Sequence, residues 1–144
     1  MLIDARKVAR ILGGEGTLGK RIRTVNELRR AVETGLSVEA LDSVVHYVSH
    51  DERSATELKY RIVPKTTLQR RQRLTSEESQ RLERLARMTA QAEQVWEDRA
   101  LAHEFLTSPQ PQLGDERPVD LARSDLGTRE VEDLLAKLEY GLPS

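Results

Sequence analysis

Residues 76–96, SEESQRLERLARMTAQAEQVW, decide the fold class. Leu82, Leu85, Thr89, Ala92 and Trp96 recur at spacings of three or four, and Ala86 and Val95 widen that stripe. Ser76 and Ser79 flank Glu77 and Glu78 in a first turn where negative charge is favourable. The pattern predicts one helix of about twenty residues, long enough to connect two halves of a small protein. Downstream, Leu101, Phe105 and Leu106 continue helically after Asp98, and Pro109 stops them. Pro111, Gly114 and Pro118 then mark an extended or turning segment. Thr128 reads as the cap of a last helix whose apolar face is Val131, Leu134, Leu135 and Leu138, terminated by Gly141 with Pro143 beyond it.

Upstream the same period recurs. A short amphipathic helix over Asp4–Leu12 buries Val8, Ile11 and Leu12 and closes at Gly13 and Gly14, followed by a glycine-punctuated loop through Lys20. Thr24 with Glu27 three residues on forms a capping-box pattern ahead of Val25, Leu28 and Val32, and Gly35 ends that helix. Ser37 caps the next, where Val38, Leu41, Val44, Val45 and Val48 form a buried face to about Ser49. With only five aromatics in 144 residues (one Phe, one Trp, three Tyr) and no alternating apolar runs, an all-α chain is predicted and a large sheet excluded.

The absence of cysteine excludes disulfides, thiol catalysis, Cys-ligated zinc and iron–sulfur clusters, and fits a reducing compartment. No apolar run approaches the ~20 residues a membrane span requires. The start, MLIDARKVAR, carries charges where a signal peptide has its apolar segment, so a soluble intracellular protein is expected.

The net charge of −1 conceals an asymmetry. Residues 1–52 hold eight basic and eight acidic side chains. Residues 53–73 hold seven basic groups against the single acid Glu57, a net +6, and residues 74–144 hold eight basic against fifteen acidic, a net −7. A basic middle and an acidic end suit two different partners, the first a polyanion.

Within the basic middle, Leu58 and Ile62 place a short helix over Thr56–Ile62, and Pro64 forces Val63 out of the helical region. The following KTTLQRRQR has one apolar anchor, Leu68, surrounded by Lys65, Thr66, Thr67, Gln69, Arg70, Arg71 and Arg73. A short helix, a tight turn and a second short helix with a basic face outline a helix-turn-helix. Its Lys and Arg suit phosphates, and its Arg and Gln suit base edges of guanine and adenine.

Other motifs are weaker. Gly14, Gly19 and Lys20 satisfy part of a phosphate-loop pattern, but Arg21 replaces the required Ser or Thr and no strand precedes it, so a structural loop is expected. His46 and His50 stand one helical turn apart without a third ligand, and Tyr47 occupies the place of a zinc-protease Glu. His103 has neither nucleophile nor partner carboxylate in the sequence pattern. No catalytic residue, metal, cofactor or small-molecule substrate is therefore expected. Trp96 and Phe105 read as core or as an interface anchor. The end EYGLPS brings Tyr140 and Leu142 close to a chain terminus, where exposed apolar groups can enter a partner's cleft.

In order along the chain, LGGEGTLGK, GLSVEALDSV, TTLQRRQRLTSEESQRLERLAR, HEFLTSP, LGDERPVDLARSDLG and VEDLLAKLEYG resemble the antitoxins of the Xre/MbcA/ParS class, partners of RES-domain toxins. Thr67, Leu68, Arg70 and Arg71 match the family's TLxRR core, and Leu74, Glu78 and Ser79 match the start of its long helix. In the C-terminal part the match includes Ala102, Leu106, Pro109, Gly114, Pro118, Leu121, Gly127, Val131, Leu134, Leu135, Tyr140 and Gly141. Phe105 stands where the family commonly has Trp, and Asp115 and Glu116 replace a Gly-containing turn.

The resemblance implies an Xre-like helix-turn-helix region over 1–75, joined by the long helix to a small helical toxin-binding domain over 76–144. It implies a bacterial, cytoplasmic antitoxin that occludes a RES-domain toxin, an enzyme that destroys NAD, and that represses its own operon. Operator DNA would be contacted by Lys65, Thr66, Thr67, Gln69, Arg70, Arg71 and Arg73, and the toxin by Phe105, Leu138, Tyr140, Gly141 and Leu142. Paired operator half-sites imply a homodimer within a larger toxin–antitoxin complex. The alternatives are a plain regulator whose C-terminal helices only dimerise it, and a toxin-binding protein whose helix-turn-helix no longer engages DNA.

Overall fold

The computed structural model describes residues 4–141, which form ten α-helices and one 3-10 turn. The helices are α1 (Ala5–Ile11), α2 (Gly14–Leu18), α3 (Val25–Thr34), α4 (Val38–Val48), α5 (Glu52–Ile62), α6 (Lys65–Leu68), α7 (Ser76–Trp96), α8 (Arg99–Thr107), α9 (Pro118–Leu121) and α10 (Asp125–Tyr140). The 3-10 turn covers Pro111–Leu113. Among the described residues there is no strand, and the all-α class follows.

Helix α7 is the central strut. It starts where its sequence predicts, but the cap is Thr75, whose hydroxyl accepts from the Glu78 amide at 3.1 Å while the Glu78 carboxylate accepts from the Thr75 amide at 2.9 Å. This reciprocal box leaves Ser79 free for another task. Fully buried, its hydroxyl accepts from the Leu36 amide at 2.8 Å and ties α7 to the α3–α4 connection. Leu82, Leu85, Ala86, Met88, Thr89 and Ala92 are buried, and α1, α3, α4, α5, α8 and α10 all pack against this helix. One apolar core therefore runs from Ala5 to Leu135, continuous across the position where the charge pattern divides the chain.

Two close approaches of backbone set the geometry on either side of α7. Gly35 has φ +107°, and a Cβ there would lie 2.6 Å from the Leu74 carbonyl. Glycine alone lets residues 36–38 run antiparallel to 72–74, with Leu74 N–H donating to Leu36 O at 2.8 Å and Val38 N–H to Gln72 O at 3.0 Å. At the other end a Cβ on Gly127 would meet the Leu121 carbonyl at 2.3 Å, so glycine there allows α10 to start directly on α9.

Four expectations change in detail. The glycine-punctuated loop after α1 contains α2, bounded by left-handed Gly13 and Gly19. Helix α5 begins four residues before Thr56, because the Asp51 carboxylate accepts from the Ser54 amide at 2.7 Å and starts the helix there. The second short helix expected over the basic segment ends after one turn, at Leu68. Gln69 and the left-handed Arg70, at φ +67°, form a turn in which the Arg71 amide donates to the Leu68 carbonyl at 3.2 Å. The last helix is capped by Ser124, which accepts from the Gly127 amide at 3.0 Å, whereas Thr128 lies inside the helix with its hydroxyl donating to the Ser124 carbonyl at 2.8 Å.

Candidate functional site

The basic segment 53–73 keeps less of its charge for solvent than its composition suggests. Lys59 pairs with Asp42 at 2.7 Å, and Arg61 with Asp120 at 3.1 Å and Glu57 at 3.4 Å. Arg71 donates through one guanidinium nitrogen to both Glu78 oxygens at 2.8 Å and through Nε to the Thr67 carbonyl at 3.0 Å. Partial burial pushes the Glu78 carboxyl up, but the Arg71 guanidinium and the Thr75 amide outweigh it and hold this acid below the usual carboxylate range. Arg73 reaches across the 36–38/72–74 clasp and donates to the Gly35 carbonyl at 2.9 Å. Thus Arg71 and Arg73 fasten the segment to its own fold. Lys65, Thr66, Thr67, Gln69 and Arg70 are exposed, and Leu68 is the partly buried anchor expected of it.

On the C-terminal side, Phe105 is 7% exposed, with its ring centroid 5.8 Å from that of Trp96. Both aromatics hold α7 and α8 together, which makes Phe105 a support beneath the surface. Leu138 and Tyr140 are exposed at the end of α10, and Gly141, at φ +64°, closes that helix with its amide turned back to Leu138 O. Leu142 lies outside the described residues. Leu126, 72% exposed, shares with Tyr140 the outer side of α10, away from Val131 and Leu135. Two apolar groups about four turns apart on one outward face are unusual on a helix otherwise carrying Arg129, Glu130, Asp133 and Lys137.

Helix α10 is locked in orientation from the α7 side. Arg84 donates to the carbonyls of Ala122 and Arg123 at 3.0 and 3.1 Å, and Gln91 donates to Glu132 at 2.9 Å. Arg87 completes the link, lying 3.4 Å from Glu132. Residues 91–141, running from this interface to the end of α10, match the family described as the antitoxin Xre/MbcA/ParS C-terminal toxin-binding domain. An Antitoxin Xre of Yersinia enterocolitica is 32% identical over 117 residues, covering 78% of this chain and 78% of its own. The chain belongs to the Xre antitoxin family. An Antitoxin Xre of Pseudomonas putida is similar at 34% identity over 77 residues, covering 54% of this chain and 48% of that protein. Membership gives the chain an antitoxin role with a toxin as its partner.

The antitoxin's histidines have structural partners. His46 lies 2.7 Å from the Asp42 carbonyl and 2.9 Å from Glu52, and His50 is 3.0 Å from Asp51. No group of residues suited to a metal occurs among the described residues. Gly14 opens α2, so the phosphate-loop pattern forms a helix and no cradle.

Sequence reasoning missed Glu93. Its carboxylate, 10% exposed, accepts from the Tyr47 hydroxyl at 3.0 Å and from His103 Nε2 at 2.7 Å, and pairs with Lys7 at 3.3 Å. Arg99 lies over the Tyr47 ring at 4.2 Å and donates to its hydroxyl at 3.1 Å. Burial pushes the Glu93 carboxyl up, and His103, Tyr47 and Lys7 together overcome this and hold it below the usual range. The hub joins α1, α4, α7 and α8 where the toxin-binding segment begins. Its only trace in the sequence is one acid flanking the apolar stripe of α7.

Proposed function

We propose that this antitoxin binds and occludes a RES-domain toxin that destroys NAD, acting by stoichiometric cover with no reaction of its own. The observation that carries this reading is the toxin-binding match over 91–141, ending on a helix whose outer face and tip leave Leu126, Leu138 and Tyr140 in solvent. Exposed apolar side chains on a rigid helix lose little conformational entropy when a partner's cleft covers them. Leu138 and Tyr140 are the contacts in this reading, Gly141 lets the chain leave the helix axis toward Leu142, and Phe105 acts from below through Trp96. The acidic balance of residues 74–144 complements a toxin pocket that attracts an anionic dinucleotide.

The same chain, as a cytoplasmic homodimer, represses its own operon in this reading. Lys65, Thr66, Thr67, Gln69 and Arg70 face the operator, and Arg71 and Arg73 hold the segment in place. The division into a DNA-binding part over 1–75 and a toxin-binding part over 76–144 is then one of surfaces on a shared core, with α7 belonging to both. A second reading, toxin binding without DNA binding, draws on the inward bonds of Arg71 and Arg73 and the single-turn length of α6.

The test is co-expression with the cognate RES-domain protein, scored by cell growth and NAD content. Wild-type chain restores both. Leu138→Ala/Tyr140→Ala, or deletion of residues 140–144, loses protection at least tenfold in the antitoxin dose required while helical circular dichroism is unchanged. Failure of the wild-type chain to protect, or full protection by both variants, overturns the assignment.

A further inference from the structure

Residues 1–52 sum to no net charge, but 6–23 hold six basic side chains against the single acid Glu15, and the fold gathers five of these cations on one surface. An open cleft of about 750 Å³ lies between α1, α2 and the 20–23 connection. Arg6, Arg10, Lys20, Arg21 and Arg23 line it, all exposed. Its two acids are already engaged, Asp4 as the α1 cap accepting from the Lys7 amide at 3.2 Å and Glu15 beside Arg21 at 3.6 Å. Among the described residues Arg6, Arg10, Lys20 and Arg23 carry no ion pair.

We propose that this cleft is a phosphate-backbone contact for duplex DNA, separate from the exposed residues of the basic segment and supplying most of the salt-sensitive part of binding. This rests on the DNA-binding reading above. Two observations favour a polymer over a small anion. The cations are exposed and, apart from Arg21 beside Glu15, carry no ion pair among the described residues, whereas a small-ligand site fixes its few polar groups in a largely buried pocket. Moreover, the charged surface does not end at the cleft. Leu18 lines it on one side and on the other lines a second groove over α2, shared with Gly19, the acid Glu39, Arg71 in its pair with Glu78, Gln72 and the exposed Arg73. That groove leads from the cleft to the end of the basic segment. Arg6 and Arg10, one helical turn apart, face the loop cations across the opening, so positive potential comes from both walls. A backbone lying here and a groove meeting Gln69 and Arg70 would be one continuous footprint, with the cleft positioning and the segment specifying.

The experiment measures binding of the full chain to two fluorescent duplexes of equal length over a range of salt, one from the DNA upstream of its own gene and one of scrambled sequence. Replacing Arg10→Gln with Arg23→Gln should lower affinity at low salt tenfold or more on both duplexes alike. It should also reduce the slope of log K against log salt by about two, at about 0.9 for each phosphate no longer neutralised. Lys20→Gln with Arg21→Gln, confined to the connection, should do the same without touching a helix, and circular dichroism verifies both folds. Unchanged slopes in both pairs overturn the cleft. In that case loss of preference for the upstream duplex on Arg70→Gln still supports the segment. If the wild-type chain binds neither duplex in a salt-dependent way, the DNA-binding reading and the cleft fall together.

Discussion

Residues 6–23 and 53–73 carry six and seven cations, and each stretch leaves four of them without an ion pair among the described residues, but the two place them differently. In the middle segment, where the linear count is +6, Lys59, Arg61 and Arg71 pair with Asp42, Asp120 and Glu78, and the exposed Arg73 donates to the Gly35 carbonyl, so part of the cationic complement also holds the fold. Near the N-terminus, where residues 1–52 sum to zero, Arg6, Arg10, Lys20 and Arg23 converge unpaired among the described residues on one cleft. Over 6–23 alone the count is six basic against the single acid Glu15, a net +5, so the broad window 1–52 conceals a basic stretch that a narrower one displays; the fold then decides which of these cations gain a countercharge.

The largest expected effect comes from undoing the internal use of charge. Glu78→Ala removes the capping box of α7 and the partner of Arg71 together, and should cost about 2 kcal/mol by urea denaturation. The same variant should bind a non-specific duplex more tightly, because Arg71 is released. A destabilised protein with unchanged duplex affinity would mean that Arg71 does not reach DNA even when free.

Next is Glu93, which consumes the one cation of α1 that points inward, Lys7. Its carboxyl titrates lower in the folded chain than in the unfolded one, so its stabilisation is complete at neutral pH, above the unfolded value, and disappears as pH falls through the folded value. Glu93→Gln should cost about 1–2 kcal/mol at pH 7, from hydrogen bonds to a charged group. Its deficit should shrink on acidification, which denaturation at several pH values would register. A deficit independent of pH would make the hub a matter of packing.

The smallest effect on stability is expected from Arg70→Gln, on an exposed side chain with no ion pair among the described residues. Less than about 0.5 kcal/mol should be lost, with weaker binding of the upstream duplex. A loss above about 1 kcal/mol in the same denaturation assay would place Arg70 with Arg71 and Arg73 as a structural cation.

Much of this molecule is readable from local pattern. The valine stripe of α4, the Thr24 and Ser37 caps, the Gly35 and Gly141 stops and the extent of α7 all depend on neighbours within four residues, which a sequence displays directly. The one-turn α6 was not readable. KTTLQRRQR contains good helix formers, but the chain turns straight after Leu68, with the Arg71 amide donating to the Leu68 carbonyl at 3.2 Å, and so delivers 72–74 to their clasp on 36–38. Ser124 replaces Thr128 as the cap because the close seat of Gly127 on Leu121 starts α10 four residues early. Of the candidate site, Tyr140 and Gly141 stand at the expected helix end, Leu138 is exposed although its spacing sets it on the apolar face with Val131 and Leu135, and Leu126 gives no periodic signal because it lies off that stripe.

Periodicity, caps and punctuation along the chain specified the helices and the all-α class, because those signals act through hydrogen bonds and side-chain spacing within a turn or two. Which cations gain a partner was decided by contacts between distant segments: Arg61 with Asp120, Arg73 with the Gly35 carbonyl, Lys7 with Glu93. Coulomb attraction and desolvation depend on separation in space, and only the packed chain sets that separation.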